Sequence, residues 1–108
     1  MSLSLPQAIS TYFAIGNGAD IASVKRCFTL NAVVFDEGKT HRGHAAIEAW
    51  QRAARDAFDY SVHPIEVLTQ GDRVIVTSNV VGNFPGSPVM LTHTFGLAGD
   101  KIATLEII

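Results

Sequence analysis

Cysteine and charge are both scarce in this 108-residue chain: cysteine occurs once, and Lys, Arg, Asp and Glu together make up 17%. A lone cysteine cannot close an internal disulfide. Cys27, beside Phe28 in an apolar helical pattern, reads as core filler rather than as a nucleophile. The eight Lys and Arg are scattered, the net charge is −2, and no basic stripe with interleaved aromatics occurs, which argues against a nucleic-acid partner. Arg52 lies four residues from Glu48 and from Asp56, the pattern of a solvated, salt-bridged helix face. No apolar run reaches membrane-spanning length. The first residues, Met1 to Pro6, lack both the basic start and the long apolar segment of a secretory leader. A cytoplasmic location without membrane association is the default expectation. Paired cysteines, a P-loop and a serine nucleophile elbow are all missing, and Gly16-Asn17-Gly18 follows a helix instead of opening one, so it is no dinucleotide fingerprint. His41 and His44 flank a polar Arg-Gly pair and are expected to be solvated, with no metal site.

What is present is enough apolar material, 47%, for one domain over residues 1–108 with one core. The first half reads helical and the second half reads as strands, an α+β pattern. Ser4 and Gln7 can form a capping box around Pro6, opening a helix whose stripe is Leu5, Ile9, Tyr12, Phe13 and Gly16. Gly16-Asn17-Gly18 ends it. Asp20 can cap a second, short helix with Ile21, Val24 and Phe28 inward. An apolar strand, Ala32 to Asp36, comes next, then a polar loop from Lys39 to Gly43. A third helix from about His44 to Ala57 turns Ile47, Trp50, Ala54 and Ala57 inward. Four strands are expected over Phe58–Thr69, Arg73–Phe84, Val89–Leu97 and Ile102–Ile108, joined by hairpin turns into an antiparallel meander.

Two details refine the sheet. The apolar phase is Phe58, Tyr60, Val62 before Pro64 and Ile65, Val67 after it, a slip of one residue that predicts a bulge and a bend. The next strand is apolar on both faces, with Val74, Val76 and Val80 on one and Ile75 and Val81 on the other. Helices can cover one face of a curved sheet, so the open face predicts a homodimer.

Three polar groups are expected to point inward from different elements. Asp36 ends an apolar strand in phase with Ala32 and Val34. Tyr12 lies on the buried stripe of the first helix. His93 alternates with Leu91, Phe95 and Leu97. Taken singly, Asp36 also reads as the first residue of a solvated turn, His93 as a satisfied core histidine and Tyr12 as a core tyrosine. Unpaired buried polar atoms cost roughly 1–3 kcal/mol each, so such groups should cluster or be wet. Trp50, Phe35 and Phe95 are candidate apolar walls around them, or plain core. Phe84-Pro85-Gly86-Ser87-Pro88 is a hairpin tip that can edge a cavity mouth or serve only as a turn.

The run Tyr12…Gly18-Ala19-Asp20-Ile21…Phe28…Asn31-Ala32-Val33-Val34-Phe35-Asp36, then Arg42-Gly43…Ala46-Ile47, then Asp100-Lys101-Ile102, resembles the nuclear-transport-factor-like fold. Within it the chain is most similar to the ketosteroid isomerases and SnoaL-like polyketide cyclases. The resemblance spans nearly the whole chain. It implies a cone: a strongly curved antiparallel or mixed sheet with three helices on its concave face. It also implies roles. Asp36 matches the isomerases' proton-shuttling base, Tyr12 matches their oxyanion-hole tyrosine, and His93 falls about where they carry a protonated aspartic acid as second donor. The imidazole departs from the steroid-isomerase pattern and resembles the Asp/His pairs of cyclase-like members.

The resulting expectation is a cofactor-independent acid–base enzyme acting on a small apolar carbonyl compound. Asp36 would remove a proton beside the carbonyl while Tyr12 and His93 donate hydrogen bonds to the enolate oxygen. The rivals are a non-catalytic ligand-binding or dimerisation module of the same fold and an adaptor using the open sheet face.

Overall fold

The computed structural model describes residues 3–108; Met1 and Ser2, the first two residues of the expected domain, lie outside the described part. Helix α1 (Gln7–Gly16) begins at a Pro6 cap with no side-chain hydrogen bond. The Ser4–Gln7 capping box does not form: Pro6 itself takes the capping position, and its fixed φ makes the helical entry without help. Ala8, Ile9, Tyr12, Phe13 and Ile15 are the buried face of α1. Gly18, with φ 110°, turns the chain out of the helix. Asn17 then ties that exit to the sheet: its side-chain amide donates to the Val62 carbonyl (2.8 Å), and its side-chain oxygen accepts from the Val62 N–H (2.7 Å).

Asp20 caps as expected, accepting from the Ala22 N–H at 3.0 Å. The short second helix is a 3₁₀ turn, Ile21–Ser23, running into α2 (Val24–Cys27). Phe28 is fully buried but opens strand β1 (Phe28–Asp36) instead of closing the helix. Cys27, the last residue of α2, is buried, and burial pushes its thiol up to about 11, which fits a core role.

The segment read as a polar loop contains a short strand, β2 (Lys39–Arg42), paired antiparallel with β1 through a tight Glu37-Gly38 turn. Its four residues are mostly exposed and polar, so they carry no core-facing alternation to detect. Helix α3 (Gly43–Ala57) buries Ile47 and Gln51; Ala57, expected inward, is exposed because the helix ends there and the chain turns into β3.

The remaining strands are β3 (Tyr60–Gln70), β4 (Arg73–Gly82), β5 (Val89–Ala98) and β6 (Lys101–Ile107). They form the expected meander. The register shift between Pro64 and Glu66 is the bulge foreseen from the phase slip, and a second shift falls at Gly96/Leu97. The full order is β2-β1-β6-β5-β4-β3, with β1 and β6 parallel and every other pair antiparallel. The sheet is therefore mixed, six-stranded and open, a cone of the α+β class with three helices. No helix among the described residues is long and apolar enough to cross a membrane. The core, including Ile9, Phe28, Val34, Ile47, Phe95 and Leu105, lies between the helices and the inner face of the sheet.

Candidate active site

Alternation along β1 buries Ala32 and Val34 and brings Asp36, half-buried, to the same side at the strand's end. Trp50 of α3 lies across from it, and the indole N–H donates to Asp36 Oδ2 at 3.0 Å. That bond fixes one carboxylate oxygen, Oδ2. The indole ring stacks on Tyr12 (centroids 6.5 Å apart, 15° between planes) and on His41 (5.7 Å, 29°).

Tyr12 reaches the site from α1. Burial raises its hydroxyl pKa well above the ordinary tyrosine value. The neighbouring Tyr60 and Asp36 push it the same way, and a hydrogen bond from the Gln51 side chain opposes them. Tyr12 thus stays protonated and can only act as a neutral phenol. His93 points inward from β5, 3% exposed, with its ring 5.9 Å from that of Tyr12. Desolvation lowers its pKa to about 4, so the imidazole is neutral at neutral pH. Its Nδ1 is enclosed and has no hydrogen-bond partner. A neutral imidazole carries one proton; placing it on Nε2 avoids burying an unpaired N–H and makes Nε2 the donor.

Asp36, Tyr12, His93 and Trp50 all line one cavity of about 730 Å³. The three inward polar groups are thereby brought together. Phe35 and Phe95, expected as walls, are not among its lining residues. Phe35 alternates out of phase with Asp36 and is 41% exposed on the opposite side of β1. Phe95 is fully buried in the core behind the wall, in edge contact with Tyr12 (5.4 Å) and Phe13 (5.9 Å). The apolar lining comes instead from residues such as Phe13, Val62, Val80, Leu91 and Ile107, while Phe58 and Phe84 meet edge to face at 6.0 Å. The tip residues Phe84, Pro85 and Gly86 do border the cavity.

Three polar lining residues, Gln51, Tyr60 and Glu37, were not anticipated as such. Gln51 is buried on α3 one turn after Ile47, and the i, i+4 spacing was the available signal. Tyr60 shares its inward phase with Val62 at the start of β3; burial raises its hydroxyl pKa, with Asp36 adding and Arg55 opposing. His41 of β2 and His44 of α3, expected to be solvated, are half-buried and serve the fold: His41 stacks on Trp50, and His44 Nε2 lies 2.9 Å from the Phe28 carbonyl. No cluster of metal-ligating side chains occurs among the described residues.

An open, mixed six-stranded cone with three helices is the nuclear-transport-factor-like fold. A SnoaL-like domain model matches residues 9–105, and the chain belongs to that family. A Sinorhizobium meliloti protein provisionally named a polyketide cyclase is similar to it at 40% identity, covering 96% of this chain and 95% of its own, with a TM-score of 0.92. A Catenulispora acidiphila protein of ketosteroid-isomerase-like fold, solved with trimethylamine, shares 19% identity over 97% of this chain and 86% of its own, with a TM-score of 0.82. SalBIII, described as an epoxide hydrolase/cyclase-like enzyme in pyran ring formation, shares 21% identity over 94% and 87%, with a TM-score of 0.79. These last two likenesses show the fold. No curated protein matches the chain in sequence.

Proposed function

We propose that the protein is a cofactor-independent acid–base enzyme of the isomerase, cyclase or dehydratase type, acting on an apolar carbonyl compound. The observation that carries this reading is the Asp36 carboxylate, oriented by Trp50 and facing the same cavity as two donors that burial keeps neutral. Asp36 takes the proton next to the carbonyl. The C–H electrons become a C=C bond, and the carbonyl π electrons move to oxygen, where Tyr12 O–H and His93 Nε2–H stabilise the developing charge. The acid form of Asp36 then returns the proton to another carbon or to a leaving group. Donors of this kind contribute about 10²–10³-fold each in enzymes where they have been removed. The family membership and the similarity to a protein provisionally named a polyketide cyclase support the same class of chemistry.

The test is exchange of the acidic α-hydrogens of acetylnaphthalene, an enolisable apolar ketone, in D₂O, followed by proton NMR. The native protein should accelerate exchange and Asp36→Asn should reduce the acceleration by roughly 10²–10⁴-fold. The same substitution should raise thermal stability, since a carboxylate in an apolar cavity opposes folding. Undiminished exchange in Asp36→Asn would leave a ligand-binding module of this fold.

A second copy of the chain is proposed as the partner of the open sheet face. Helices cover the inner face only, while Leu68, Val81 and Met90 stand 53%, 41% and 50% exposed on the other. Sedimentation at micromolar concentration should give a dimer, and Leu68→Lys should shift it toward monomer; a monomeric native protein rejects the pairing.

A further inference from the structure

The charge on the cavity wall has one sign. Its formally charged lining residues are Asp36 and Glu37; no Lys or Arg is among the lining residues, and His93 is neutral. Glu37 is an unusual choice for its position. It and Gly38 form the two-residue turn between β1 and β2, with φ of 51° and 75°. Turns of this shape favour Asn, Asp or Gly, because a longer side chain on left-handed backbone is strained. Among the described residues, Glu37 is the one non-glycine residue with positive φ. It is exposed, so core packing does not demand it, yet its position lines the cavity beside Asp36. Strain held at a ligand site is a signature of function. The pocket also offers a neutral anchor: His93 is 3% exposed, and its buried Nδ1 has no hydrogen-bond partner among the described residues.

We infer that Glu37 is a specificity-determining residue which, together with Asp36, excludes anions from the cavity, so that the substrate is an uncharged ketone, ester or lactone and not a free acid. This rests on the small-molecule reading above and adds the charge class of the ligand. A carboxylate brought within several ångströms of two like charges in a partly desolvated cavity is opposed by Coulomb repulsion that water screens only in part. Removing one of the two should relax the exclusion without disturbing the apolar walls.

Equilibrium dialysis with two probes of nearly the same shape, acetylnaphthalene and naphthoate, tests it. The native protein should bind the ketone about tenfold or more tighter than the carboxylate. Glu37→Gln should leave ketone binding in place and narrow that gap by roughly threefold or more. Glu37→Asn, which removes the charge and suits the turn, should do the same and guards against a folding defect in the first variant. Naphthoate binding as tightly as the ketone, or a gap unchanged in both variants, overturns the inference alone. Failure of both probes to bind at millimolar concentration overturns it together with the small-molecule reading.

Discussion

The Trp50 indole N–H donates to Asp36 Oδ2 at 3.0 Å, linking helix α3 to the last residue of β1. A carboxylate at a strand end beside a turn would otherwise sample several rotamers. Here one oxygen is pinned, and the ring that pins it is itself stacked on both Tyr12 and His41. The orientation of this carboxylate is thus set by packing on three elements.

Trp50→Phe keeps most of the ring and deletes the donor. Exchange catalysed by the protein should fall by about tenfold while ketone binding changes little, because positioning and not the apolar wall is lost. Measuring rate and binding separately distinguishes this from general damage, which would weaken both. Trp50 is the chain's single tryptophan and lines the cavity, so its fluorescence in the native protein reports occupancy directly.

His93 makes stability depend on pH in a definite direction. Its pKa is about 4 in the folded protein against 6.5 for the free side chain. Between those values the unfolded chain binds the proton and the folded one does not, so protons favour unfolding. The effect is absent above pH 6.5, grows as the pH falls, and levels off below about 4, where it amounts to about 3 kcal/mol. Urea melts of the native protein and His93→Gln at pH 7 and pH 4.5 should show a smaller acid loss in the variant. Equal losses would mean that the imidazole is not sealed in the wall. Catalysis should likewise show no His93 limb between pH 6 and 8.

Ser78 lies inward on β4 between Val76 and Val80, fully buried, and its hydroxyl has no hydrogen-bond partner. Ser78→Ala removes the unsatisfied group at the cost of one atom of packing. A gain of about 1 kcal/mol is expected. Differential scanning calorimetry should register it as a rise in Tm, and a drop would show that the hydroxyl has a role in the wall.

The parts of the site that were legible in the sequence are those fixed by strand alternation. Asp36 and His93 sit on long strands whose phase is stated by Ala32 and Val34, and by Leu91 and Phe95. Tyr12 follows from the stripe of α1. Phe35 was misjudged because its hydrophobicity outweighed the same alternation that turned Asp36 inward; the two are adjacent and must face opposite ways. Phe95 has the right phase, but phase gives a face and not a depth, and Tyr12 and Phe13 close over it. Gln51 hid for the opposite reason: it is polar enough to pass for a surface residue although it shares a face with buried Ile47, whereas Tyr60 was placed in the apolar phase of its strand without its hydroxyl being assigned to the cavity. The Trp50–Asp36 bond could not be foreseen, since it depends on how α3 crosses β1, which no local period encodes. The strand β2 escaped because an exposed edge leaves no apolar pattern.

Strand β6 runs between β1 and β5, parallel to one and antiparallel to the other. The acid on β1 and the imidazole on β5 therefore have no direct sheet contact; they are brought into one wall only by the segment Lys101–Ile107. A fragment stopping at Asp100 would contain every chemical group named above and still have no place for them to meet.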